Sequence, residues 1–115
     1  MNRNAEGIAA ERVSATFLQS HGLKLLETNY RCRFGEIDLV MRDGNATVFV
    51  EVRLRSNADF GGAGMSITPH KQQKLVRAAE HYLLSHSSTS CRFDAVLMDK
   101  VSTQHIEWIR NAFDA

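Results

Sequence analysis

The segment GEIDLVMRDGNATVFVEVRLR, residues 35–55, carries carboxylates where a β-hairpin would bring them together. Apolar and polar residues alternate on both sides of a glycine, which indicates two strands joined by a tight turn. The alternation places Glu36 and Asp38 on one face of the first strand and Glu51 on the same face of the second. Carboxylate oxygens gathered in this way suit hard divalent cations, so the segment could bind Mg²⁺ or Mn²⁺.

The position of the turn decides which carboxylates face each other. A two-residue turn at positions 44 and 45 pairs Asp38 with Glu51. The commoner Asp-Gly turn, one residue earlier, pairs Glu36 with Glu51 instead. Both registers leave a carboxylate opposite Glu51, and a β-bulge is the remaining alternative.

Facing carboxylates destabilise a pair of strands. At a separation of about 5 Å and an effective dielectric of about 20, they repel by roughly 3 kcal/mol, which is large beside the roughly 5–15 kcal/mol that stabilises a small domain. A shared proton, an arginine bridge or a bound divalent cation would each relieve the repulsion. The pattern alone leaves two interpretations open: an exposed polar face bridged by Arg53, and a metal site.

Two helices are predicted on either side of the hairpin. The first spans residues 5–20 and ends before Gly22, a residue typical of helix C-termini. The second begins after Thr68, a good N-cap followed by proline, and continues to about Ser85. Three residues form the apolar face predicted for the first helix: Ile8, Ala15 and Leu18.

Strands account for most of the remaining chain. Residues 23–31 are predicted to form the strand before the hairpin, CRFDAVLM a fourth strand, and HIEWIRNAF a short final strand that turns into an irregular tail. Residues 56–66, with three glycines, are predicted to be a connector. The order α-β-β-β-α-β predicts an α/β fold, a mixed sheet with helices packed on it, in one domain over residues 1–115.

The bulk composition is that of an ordinary globular protein. Hydrophobic residues make up 43% and charged residues 23%, and the net charge is +1, so a nucleic-acid surface would have to come from local clusters of cations. The chain has no run of about 18 apolar residues, so no membrane span is expected. With no signal peptide and no metal-ligand spacing around Cys32 and Cys91, we expect reduced thiols and a cytoplasmic location.

The segments GEIDLV and VFVEVRLR together resemble the core of the PD-(D/E)-x-K nucleases. More closely, the whole chain resembles the bacterial YraN family, in GIAAERVSATFLQSHG, NYRCRFGEIDLVMRDG, VFVEVRLR, KQQKLVRAAEHYL and CRFDAV. That family is similar to archaeal Holliday-junction resolvases and is described as a predicted endonuclease. The resemblance implies a restriction-endonuclease-like core and metal-dependent hydrolysis of phosphodiester bonds in structured or damaged DNA.

The resemblance also implies roles for individual residues. Asp38 and Glu51 would hold Mg²⁺ or Mn²⁺ with the backbone carbonyl of Val52. Glu11 corresponds to an acid in the first helix of resolvase-like relatives, and Glu36 would be a further ligand or an orienting group. As an acid beside an apolar stripe, Glu11 could equally be a salt-bridged helix residue.

Arg53 stands where the wider nuclease group often has lysine. Arginine keeps its charge in essentially any protein site, so Arg53 could hold a phosphate and stabilise developing charge but could not act as a base. Activation of the attacking water would then fall to the metal. This departure supports a second hypothesis, a catalytically inactive nucleic-acid-binding module, and a third, a scaffold in which arginines neutralise the acids.

Cations near the acids predict a surface for nucleic acid, most simply DNA. These residues are Arg53, Arg55, Lys71 and Lys74. Phosphate contacts supply most non-specific affinity, so such a surface would follow the backbone of the nucleic acid. The resemblance to resolvases further implies a homodimer, although no apolar stripe in the sequence marks a dimer face.

Overall fold

The computed structural model describes residues 5–54, 67–87, 90–99 and 106–114 of the chain. Within these ranges the protein forms two helices and one five-stranded sheet. In chain order the elements are α1 (Ala5–Ser20), β1 (Lys24–Cys32), β2 (Gly35–Asp43), β3 (Ala46–Leu54), α2 (Pro69–Leu83), β4 (Ser90–Met98) and β5 (Ile106–Phe113).

The strands lie in the sheet in the order in which they occur along the chain, β1-β2-β3-β4-β5. Strands β3 and β4 are parallel and α2 connects them, whereas the other neighbours are antiparallel. A parallel pair needs such a crossover connection, and a helix is the usual one. The predicted α/β fold with a mixed sheet is therefore confirmed.

The last strand is longer than predicted. Where the sequence suggested an irregular tail, β5 continues to Phe113 and pairs with β4. The register shifts between Phe93 and Ala95, and Asn111 adopts a positive φ of 51°. The Asn111 backbone N–H then donates to Asp94 at 3.0 Å, so a local irregularity is accommodated without ending the strand.

Helix α1 has the predicted bounds and the predicted end. Gly22 has a φ of +95°, and its N–H donates to the carbonyl of Gln19 while Leu23 donates to Leu18, which is the Schellman arrangement. The apolar face was predicted less well: Ile8 is 37% exposed and lines an open groove beside β1 instead of packing on the sheet. The buried residues are Ala10, Ser14, Ala15 and Leu18.

Helix α2 begins as predicted. The side chain of Thr68 accepts a hydrogen bond from the N–H of Lys71 at 3.2 Å, and Pro69 occupies the first turn. Its buried face consists of Leu75, Ala78, Ala79 and Tyr82. None of the helices in the described ranges is long and apolar enough to cross a membrane.

The sheet separates two hydrophobic clusters, one under each helix. The α1-side cluster contains Leu39 and Val50, and the α2-side cluster contains Val40 and Phe49, as strand alternation requires. Ile37 is an exception, because strict alternation would place it on the same face as Leu39 and the structure buries it in the α2-side cluster. The alternation breaks where β2 and β3 stop pairing, and this break forms the candidate site.

Candidate active site at the fork between two strands

Strands β2 and β3 form a hairpin that opens into a fork. The turn lies at Gly44 and Asn45, as in the first of the two predicted registers. Asp43 pairs with Ala46, which leaves Gly44 and Asn45 as the two turn residues, so the Asp-Gly register is wrong. Gly44 has a φ of +61°, a left-handed conformation that glycine adopts without strain. The pairing runs as far as Leu39 and Val50, although both strands continue beyond it.

Asp38 lies just past the last of these pairs. Its carboxylate accepts a hydrogen bond of 2.8 Å from the backbone N–H of Val52 on the opposite strand. A buried backbone N–H must find a partner, and here a side chain takes the place of the missing backbone carbonyl. The fork therefore holds the Asp38 carboxylate between the two strands.

The carboxyl groups of Asp38 and Glu51 contact each other at this fork. Burial first, then the charge of Glu51 and a hydrogen bond between the two carboxyls, raise the pKa of Asp38 from 3.8 to about 7. The N–H of Val52 and the charge of Lys71 oppose this rise. Protonation of Asp38 below about pH 7 therefore reduces the repulsion between the two carboxyls, which corresponds to the first of the three outcomes expected from the sequence.

A cation from α2 also faces the pair. The ammonium of Lys71 lies 3.7 Å from a carboxylate oxygen of Glu51. The Glu51 side chain is only 12% exposed, whereas that of Lys71 is 42% exposed. Sequence reasoning assigned Lys71 to nucleic-acid binding and missed this ion pair, because residues 51 and 71 become neighbours only through the crossover from β3 to β4.

Glu36 lies further along β2, where Arg31 of β1 is its strand partner. The Arg31 Nε is 3.5 Å from Oε2 of Glu36, an ion pair without hydrogen-bond geometry. That oxygen is buried and accepts no hydrogen bond from any part of the chain that the structure describes. The surroundings of Glu36 are consistent with an orienting group, and its predicted role stays a prediction.

Glu11 approaches the sheet through Asn29, a residue that sequence reasoning overlooked. The Asn29 side-chain amide donates to a carboxylate oxygen of Glu11 at 3.1 Å. Asn29 stands between two β1–β2 pairs, Thr28–Leu39 and Tyr30–Ile37, and therefore opposite Asp38.

The backbone of Asn29 adopts a φ of +53°, which is rare for a residue other than glycine and is best tolerated by asparagine. Its Oδ1 is buried and accepts no hydrogen bond within the described ranges. An asparagine inside a predicted strand, where its propensity is low, was the available signal.

The family of this chain follows from its relatives. The model of the "Uncharacterised protein family UPF0102" matches residues 10–98. A UPF0102 protein of Nitrosospira multiformis is 59% identical over 115 residues, covering 99% of this chain and 97% of the relative. The chain belongs to the UPF0102 family. A UPF0102 protein of Legionella pneumophila, 46% identical over 113 residues, spans 96% of this chain and 95% of its own length. The expected membership of the YraN family, which is UPF0102, is confirmed, and the nuclease-like core that the resemblance also implies stays a prediction.

Two open grooves flank the fork of this UPF0102 chain. The first, of about 390 Å³, contains Arg53 together with Glu51 and Lys71. The second, of about 290 Å³, contains Arg31, Glu36, Lys74 and again Lys71. The structure thus brings Arg53, Lys71 and Lys74 to the surroundings of the acids. Arg55 and the glycine-containing connector, residues 56–66, lie outside the described residues.

The oxygen atoms at the fork are the kind of ligand that hard divalent cations prefer. In the described part of the UPF0102 chain, no three or more Asp, Glu, His or Cys side chains form a group that could hold an ion. The fork offers two carboxylates, and the Val52 carbonyl faces the same edge of β3 as its N–H. Mg²⁺ is commonly held by one or two carboxylates, with water and substrate phosphates completing its shell, so this donor set fits Mg²⁺ or Mn²⁺.

Proposed function

We propose that this UPF0102 chain is a metal-dependent endonuclease that hydrolyses phosphodiester bonds in structured or damaged DNA, with its active site at the fork. One observation carries the proposal: Asp38 and Glu51 are held together in largely covered positions, and the pKa of Asp38 is raised to about 7. Such an arrangement costs stability, and groups perturbed in this way concentrate at functional sites. A divalent cation would stabilise both carboxylates in their charged forms.

Asp38 and Glu51 would hold the cation, with the carbonyl of Val52 as a third oxygen. When bound, the cation would polarise the scissile phosphate and increase the acidity of a nearby water. The hydrogen bond from the Val52 N–H supports this assignment, because it fixes the orientation of the Asp38 carboxylate in advance.

Arg53 would bind the scissile phosphate through its permanent charge, since it lines the same groove as Glu51. Glu36, paired with Arg31, would orient groups at the groove entrance. Glu11 would act through Asn29, which lies opposite Asp38 on β1 and donates a hydrogen bond to Glu11. These roles support the proposed reaction without requiring any side chain to serve as the base.

A second candidate is a nucleic-acid-binding module of the same fold without turnover. The observation favouring it is Arg53, which occupies the position of the lysine that many nucleases carry and cannot exchange a proton at ordinary pH. Both candidates need the grooves beside the fork, and only the first needs hydrolysis.

The test has two stages, and Mn²⁺ serves as the probe in both. First, a cation that binds only the folded protein should raise the Tm of the wild type and leave that of Asp38→Asn unchanged. Second, four-way, nicked and single-stranded DNA are incubated with the protein and Mn²⁺. Cleavage that is lost in Glu51→Ala supports the endonuclease.

The outcomes separate the candidates. Binding of these DNAs without cleavage favours the inactive module. A Tm shift that survives in Asp38→Asn would show that the cation binds elsewhere and would overturn the assigned site. Cleavage that survives in Glu51→Ala would point to a contaminating nuclease or a different site.

A further inference from the structure

Lys71 occupies a position between the carboxylate pair and the surface. Its ammonium is 3.7 Å from Glu51, beyond the distance of a strong charge-assisted hydrogen bond, and its side chain is 42% exposed. The contact is therefore held by charge rather than by directed bonding. An ion pair of this kind can be exchanged for another partner without breaking a packed structure.

The helix supplies a reason for the pairing. Lys71 lies in the first turn of α2, and that turn contains no acidic residue. The N-terminus of a helix carries a partial positive charge, which disfavours a lysine there. Glu51 provides the compensating negative charge, so the two groups hold each other in place.

Lys71 also belongs to both grooves at the fork. One groove holds Glu51 and Arg53, and the other holds Arg31 and Lys74. Lys71 and Lys74 are three residues apart and share a face of α2, so the second groove contains a row of cations beside the acids. Released from Glu51, the Lys71 side chain would remain within reach of an anion in that groove.

We propose that Lys71 is an exchangeable counter-ion of Glu51: it balances the carboxylate pair until a divalent cation binds there, and it is then released to contact a phosphate of nucleic acid. The inference rests on the proposed metal site and deepens it. As a consequence, binding of the cation should strengthen binding of nucleic acid, because the cation frees the Lys71 ammonium, which is otherwise paired with Glu51, to contact a phosphate.

The first experiment uses Mn²⁺ and the protein alone, measured by isothermal titration calorimetry. Lys71→Met removes the competing charge and should bind Mn²⁺ at least about fivefold more tightly than the wild type. A factor of about five is at the lower end of the couplings usual between two binding sites. Lys71→Arg keeps the charge and should bind like the wild type. Lys74→Met, a matched change one turn along α2, should leave the Mn²⁺ affinity unaltered.

The second experiment measures the Kd of a fluorescein-labelled four-way DNA junction in EDTA and in Ca²⁺, at matched ionic strength. The wild type should bind more tightly in Ca²⁺, and Lys71→Met should lose most of that gain. Lys74→Met should weaken binding in both solutions and preserve the ratio between them.

The results distinguish this inference from the proposed function. If the wild type binds Mn²⁺, Asp38→Asn does not, and Lys71→Met binds no more tightly than the wild type, the exchange is overturned and the metal site stands. A Lys71→Met variant that keeps the full gain in Ca²⁺ would likewise overturn it. If the wild type itself binds no Mn²⁺, both proposals fail.

Discussion

The backbone N–H of Val52 donates to the carboxylate of Asp38 across the point where β2 and β3 stop pairing. A side chain thus completes the hydrogen bonding of a strand, and the same carboxylate lies against Glu51. The fork and the acidic pair are one feature, because the strands separate where the carboxylates meet. Changes at this point should therefore affect stability and cation binding together.

The stability of the fold should depend on the proton at the fork. Burial first, and then the charge of Glu51, raise the pKa of Asp38 from 3.8 to about 7. Between these two values the folded protein keeps a proton that the unfolded chain releases. This group therefore makes the free energy of unfolding decrease as the pH rises from 3.8 to about 7, with no further change above that.

Asp38→Asn should remove this dependence. Asparagine can accept from the Val52 N–H and donate to Glu51, so the variant should be more stable than the wild type by about 1–4 kcal/mol at pH 8, with a smaller difference at pH 5. Urea unfolding across this pH range measures the difference. Glu80→Gln, at an exposed position of α2, is the control. Equal stabilities of Asp38→Asn and the wild type at pH 8 would contradict the assignment.

Replacement of Asn29 by glycine and by alanine should change the stability of the fold by different amounts, because the backbone there has a positive φ. Asn29→Ala should lose the hydrogen bond to Glu11, worth about 1 kcal/mol, and also carry about 1–2 kcal/mol of strain, because φ is +53°. Asn29→Gly loses the bond without the strain and should be the more stable of the two variants. Chemical denaturation of both proteins gives the comparison, and equal losses would mean that the backbone relaxes.

Among the acidic residues discussed, Asp94 should be the one whose replacement destabilises the fold most. Its side chain is fully buried, and it accepts hydrogen bonds from Arg92, from the indole of Trp108 at 3.0 Å and from the Asn111 N–H. Asp94→Ala leaves those donors without an acceptor and should cost about 3–5 kcal/mol.

Asp43 provides a matched comparison with Asp94, because both carboxylates pair with Arg92. Asp43 also pairs with Arg92, at 2.9 Å, but its side chain is 37% exposed. Asp43→Ala should therefore cost less than about 1 kcal/mol. Thermal unfolding of both variants tests the order, and comparable losses would show that the buried network is not what stabilises β4 and β5.

Arg53 should contribute one phosphate contact by charge alone. Arg53→Lys keeps the charge and should bind duplex DNA within about twofold of the wild type. Arg53→Gln should weaken binding and reduce the slope of log affinity against log salt concentration by about one. Fluorescence anisotropy between low and moderate salt measures both quantities. An unchanged slope in Arg53→Gln would place the DNA elsewhere.

Much of this architecture could be predicted from local patterns. The ends of α1 and the start of α2 follow from Gly22 and Thr68, whose backbone roles depend on immediate neighbours. The hairpin register was narrowed to two alternatives that both put a carboxylate opposite Glu51, and the structure has the one with Asp38. Local chemistry was sufficient for the helix ends, whereas it left the hairpin register open between the two turns.

The features that escaped prediction depend on contacts between distant parts of the chain. Lys71 meets Glu51 because a helix crosses from β3 to β4, and Asn29 meets Glu11 because α1 packs beside β1. Ile37 changes sides because the strand ladder ends, which an alternating pattern cannot reveal. Periodicity reports the faces of single elements, whereas these relationships arise when the elements pack.

Both outermost strands of the sheet are irregular. An extra residue shifts the register of β1 between Leu25 and Glu27, β5 is displaced opposite Phe93 and Ala95, and each of these strands holds an asparagine with positive φ, Asn29 or Asn111. Such distortions hinder a neighbouring molecule from continuing the hydrogen-bond ladder. Edge-to-edge joining of the sheets of two copies is thus disfavoured along the described parts of both outer strands.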